Sequence, residues 1–186
     1  MRRSYGALRV ASIRPLGTSR SNISPSLRWS PAAGVSRQGL YLYFDTKDFL
    51  FREALQYLVS HYISTARSMA EDGNLSLRDR LLGVFEAVHG TAFQSASPEH
   101  AFELLQSAQS ADGALLVQLD RDLMGIVGAL LAGAGVADRW EEAGVTVAEL
   151  SEQLLMSAKG IKASVNTLTA YRERMLIAIR IVTRSL

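Results

Sequence analysis

The stretch Gly34-Val-Ser-Arg-Gln-Gly-Leu-Tyr-Leu-Tyr-Phe-Asp-Thr-Lys-Asp-Phe-Leu-Phe51 sets a turn, a short helix and the start of a second helix one after another without a gap. Gly34 suits a backbone turn with φ > 0, and Ser36 is placed to cap the helix that follows. Arg37 and Gln38 then fall at the N-terminal end of that helix, the end from which side chains reach base edges in a major groove. Arg can bridge guanine O6 and N7, and Gln adenine N6 and N7, so these two are the candidates for reading sequence. Tyr41, Tyr43 and Lys47 follow as candidates for phosphate contacts, which position a reader without specifying a base. Phe44 is read as packing, and at least one of Leu40 and Leu42 as core.

The order of these residues resembles the signature of the TetR family of repressors. The resemblance implies an all-α protein: a helix-turn-helix N-terminal domain, partial or complete, followed by a helical bundle that binds a small ligand and dimerises. It further implies a double-stranded DNA operator and a small-molecule effector as partners, with Ser36, Arg37, Gln38, Tyr41, Tyr43 and Lys47 on the DNA. The match is expected to divide the chain into an atypical basic segment over 1–31, a recognition-helix part over 32–52 and a ligand-binding and dimerisation domain over 53–186.

Charge follows the same division. Up to Phe44 there are seven arginines and no acid, and the rest of the chain holds thirteen Lys and Arg against eighteen Asp and Glu, a balance of −5. The basic end is therefore where any nucleic-acid contact is expected. Residues 1–31 depart from the family pattern, which opens with two helices ahead of the turn. Pro15, Pro25 and Pro31 interrupt this segment, and a proline inside a helix costs about 3 kcal/mol. Residues 1 to about 30 are expected to be irregular, and specific DNA binding by the chain to be weak. Such an abrupt change of composition at Ala32 is what an out-of-frame reading produces; a natural basic arm is the alternative, and it would hold phosphates electrostatically.

With 186 residues, 48% of them hydrophobic, the chain has ample material for a core. The absence of cysteine excludes disulfides and thiolate chemistry and fits a cytoplasmic protein. No apolar run reaches the roughly 18 residues of a membrane span, and no apolar h-region precedes Pro15. Neither a membrane partner nor a secretory signal is expected.

From Thr46 onward the apolar residues recur at helical spacing. Helices are predicted over 36–43, 46–70, 76–95, 98–110, 113–133, 146–164 and 167–185, with no strand. The first long one is expected to bury Phe49, Leu50, Ala54, Leu58 and Tyr62. Ser76 with Asp79 and Thr146 with Glu149 match the capping-box pattern, and Ser97 precedes Pro98 at a first helical position. Asp72-Gly73-Asn74 reads as a break, and Gly133-Ala-Gly135 as a helix stop. In the last helix Leu168, Tyr171, Met175, Ile179 and Val182 form one stripe, which Leu176, Ile177 and Ile181 widen. With Leu150, Leu154, Leu155, Ile161 and Val165 they offer two faces for an intersubunit four-helix bundle, as the resemblance also implies, so a homodimer through residues 146–186 is expected.

Enzymatic chemistry finds little support. Glu86-Ala-Val-His89 is a lone Glu-x-x-His pair, whereas a di-iron bundle needs a second pair and two more inward glutamates. His61 and His100 are isolated, and no nucleophile elbow, zinc-binding His-Glu-x-x-His or phosphate loop occurs. No cofactor, no metal and no catalytic residue is assigned. For the effector pocket implied by the resemblance, Phe85, Phe93, Phe102, Met124 and Trp140 offer apolar or aromatic lining, and His89 and Gln106 polar handles. Each of these also suits plain core packing.

Overall fold

The computed structural model describes the backbone of residues 47–93 and 98–183, and the side chains of these residues except 47–51, 54 and 98–112. The chain separates into units 1–51 and 52–186, and the packing described below is that of the second. The described residues are helical, with no strand among them: α1 (Lys47–Glu71), α2 (Leu77–His89), α3 (Pro98–Gly133), α4 (Val147–Ser164) and α5 (Leu168–Thr183). The readings of residues 1–31 and of a helix over 36–43 lie outside the described residues.

Helix α1 turns Val59, Ile63 and Ala66 inward, at spacings of four and three. Of the predicted face, Leu58 and Tyr62 are only half-buried and the buried residues lie one position on, about 100° around the helix; the side chains of Phe49, Leu50 and Ala54 lie outside the described residues. Leu58-Val59 and Tyr62-Ile63 are adjacent apolar pairs, so two neighbouring stripes compete. The one without a hydroxyl is buried, while Tyr62 shares a hydrogen bond with Thr91 at the margin. Asp72 then ends the helix by accepting from the backbone N–H of Asn74 at 2.9 Å. The Arg80 guanidinium donates to the Ala70 carbonyl, one of the acceptors that a helix end leaves unpaired.

Helix α2 starts where capping chemistry places it. Ser76 accepts from the Asp79 backbone N–H and donates its own hydroxyl to the Asp79 carboxylate. Leu81, Val84 and Phe85 are buried on one side. The predicted continuation to residue 95 takes a different form, since the chain tightens at Gly90 into a 3₁₀ turn, Gly90–Phe93.

The helices predicted over 98–110 and 113–133 are one. Helix α3 runs unbroken from Pro98 to Gly133; Asp-Gly without a proline costs a helix interior only about 1 kcal/mol. Its end is the predicted stop: Gly135 adopts φ +64°, its N–H donates to the Ala132 carbonyl and that of Val136 to the Leu131 carbonyl. This is a Schellman motif, with buried Leu131 and Val136 as its apolar pair.

Two short 3₁₀ turns, Ala137–Arg139 and Glu141–Ala143, lead to α4. Thr146 and Glu149 form a complete capping box at its start. The pairings Asp120–Lys159 and Gly128–Ser151 show α3 and α4 running antiparallel. Helices α2, α3, α4 and α5 each pack on two of the others, and so close a ring, α2–α3–α4–α5–α2, around a single apolar core that also takes in Ile63 and Ala66 of α1.

Two glycines give opposite predictions. Gly135→Ala should cost about 1 kcal/mol, since an L side chain is strained at positive φ. Gly125→Ala, on an exposed helical position with open space around it, should add up to about 1 kcal/mol. Urea midpoints shifting in the same direction for both variants would contradict the backbone placement.

Candidate functional site

The bundle holds one buried polar pair of note. His89, the last residue of α2, is 5% exposed, and its Nδ1 lies 2.8 Å from Tyr171 Oη in the first turn of α5. The two rings meet edge to face, and the Phe93 ring lies 5.4 Å from that of Tyr171. Burial, with Lys162 and Lys159 acting on it from α4, drives the His89 pKa down to about 3, so the ring is neutral at ordinary pH. Burial and the neighbouring Glu86 carboxylate push the Tyr171 hydroxyl well above its usual range. Tyr171 has no other partner among the described residues, so its hydroxyl donates to Nδ1 and the ring proton sits on Nε2.

Two ion pairs flank this centre. Arg172 of α5 grips Glu86 of α2 through both carboxylate oxygens, the second at 2.8 Å from Nη2. Lys159 of α4 pairs with Asp120 of α3. Lys162 is half-buried, and desolvation lowers its pKa. Among the described residues it has no carboxylate partner. Glu86 and His89 thus have separate partners, and no group of three or more His, Asp or Glu able to hold a metal occurs among the described residues.

A second surface lies on the outside of α4 and α5. Ser157, Gly160, Ile161 and Ser164 of α4 face Arg174, Ile177, Ala178 and Ile181 of α5 across a shallow groove of about 450 Å³. Both sets follow the spacing i, i+3, i+4, i+7, so each is one stripe of its helix. Ile177 and Ile181 are more than half exposed, as is Met156 nearby.

Of the predicted pocket residues, His89 and Phe93 come together, both against Tyr171. Phe85 is fully buried in the apolar core, and Met124 is half-buried against it. Trp140 lies elsewhere: its indole N–H donates to the Val182 carbonyl at 2.8 Å, 11 residues and roughly 16 Å along α5 from Tyr171. There it satisfies a terminal carbonyl of the last helix. The side chains of Phe102 and Gln106, on α3, and of Lys47, at the start of α1, lie outside the described residues, as do Ser36, Arg37, Gln38, Tyr41 and Tyr43 altogether. Tyr171, Lys162 and Arg172 were not singled out for the site by sequence. The available signal was a tyrosine in an otherwise aliphatic stripe, whose buried hydroxyl must find a partner.

No family model, curated protein or solved structure matches the chain. No helix among the described residues is long and apolar enough to cross a membrane.

The neutral, buried His89 gives a signed pH dependence. Its native pKa lies below its ordinary 6.5, so its contribution is complete above about pH 6.5 and is lost as pH falls toward 3. Relative to His89→Gln, the wild type should lose roughly 3 kcal/mol between pH 7 and pH 4. Urea unfolding of both proteins across that range measures it, and a constant gap would mean that the ring is not held neutral.

Proposed function

We propose that the chain is a TetR-like transcriptional regulator. Residues 34–47 read DNA, and the helical unit after residue 52 binds a small effector and pairs with a second copy. The observation that carries this reading is the sequence Gly34 to Lys47, in which turn, cap, base-reading donors and phosphate-binding side chains stand in the order a recognition helix needs. The exposed seam on α4 and α5 supports the pairing. Bundle cores normally cover such stripes, and this one is left to solvent on two adjacent helices at once.

The seam also revises which residues would meet a partner. Leu150, Leu154, Leu155, Val165, Tyr171, Met175, Ile179 and Val182 are spent on the chain's own core. The surface left for a second copy is Ile161, Ile177, Ala178 and Ile181, with small Ser157, Gly160 and Ser164 allowing close approach. The mechanism is a population shift. An effector that favours one spacing of the two reading heads over another changes operator affinity by no more than its differential binding to the two states. A second reading, a dimeric helical ligand-binding protein without specific DNA binding, is favoured by the proline-interrupted sequence before Ala32.

Two substitutions separate seam from core. Ile181→Glu should yield a folded monomer where the wild type is dimeric at micromolar concentration, whereas Ile179→Glu should lose roughly 3–5 kcal/mol of stability as a buried unpaired charge. Light scattering and circular dichroism distinguish them, and a monomeric wild type would remove the pairing. For the DNA half, binding is selected from random duplexes at several salt concentrations. Arg37→Ala should change which sequences are enriched, and Lys47→Ala should weaken all alike and lower the salt slope by about one. Loss of sequence preference in the unaltered chain would favour the second reading.

A further inference from the structure

We draw no further inference here: the strongest candidate, the shallow groove between α4 and α5 lined by Ser157, Gly160, Ile161, Ser164, Ile177 and Ile181, belongs to the pairing surface already proposed, and nothing in the structure shows what else covers it.

Discussion

The bundle depends on covering one face of its last helix. Tyr171, Met175 and Ile179 of α5 have no exposed surface, and Val182 continues their line. Burying each aliphatic side chain is worth roughly 1.5–3 kcal/mol, so no single flanking helix could be lost without exposing much of that gain. Helices α2 and α4 take the two sides of α5, and α3 closes the ring behind them. Trp140 and Arg139, on the turn after α3, reach the carbonyls of Val182 and Thr183 and so fasten the far end of α5 to the loop that precedes α4. The C-terminal helix is therefore an internal strut.

That arrangement explains which parts of the fold the sequence made legible. Caps could be read because their chemistry is local: Ser76 needs only Asp79, Thr146 only Glu149, and the stop at Gly135 only a residue tolerant of positive φ. Whether the helices over 98–110 and 113–133 join could not be decided locally, because an Asp-Gly pair ends a helix or rides through it according to its surroundings. The face of α1 was displaced by one residue for a related reason, as two apolar stripes lie side by side there. In α5 the stripe was visible, but periodicity records only that a face is apolar. Whether Ile179 meets its own core or a second copy depends on how far α2 and α4 reach around the helix, and they reach far enough to leave only Ile177 and Ile181 outside.

The candidate site was legible in the same partial way. His89 and Phe93 are four residues apart, so the turn at the end of one helix is enough to bring them together. Tyr171 lies 82 residues from His89, on another helix. Their convergence is a property of ring closure, which no local pattern encodes. Glu86-x-x-His89 has the spacing of half a metal motif, but the Glu86 carboxylate meets Arg172 across the α2–α5 contact. The spacing Glu-x-x-His reports only that two side chains share a helix face. What they do depends on the helix opposite.

The buried polar pair and the outer seam have one element in common. Helix α5 presents Tyr171 inward, against His89, and Ile177 and Ile181 outward, onto the seam. Tyr171 and Ile177 are six residues apart, about 9 Å along a rigid helix. A close-packed helix cannot tilt or rotate at one of these positions and stay fixed at the other, because its buried face has no free volume to absorb the difference.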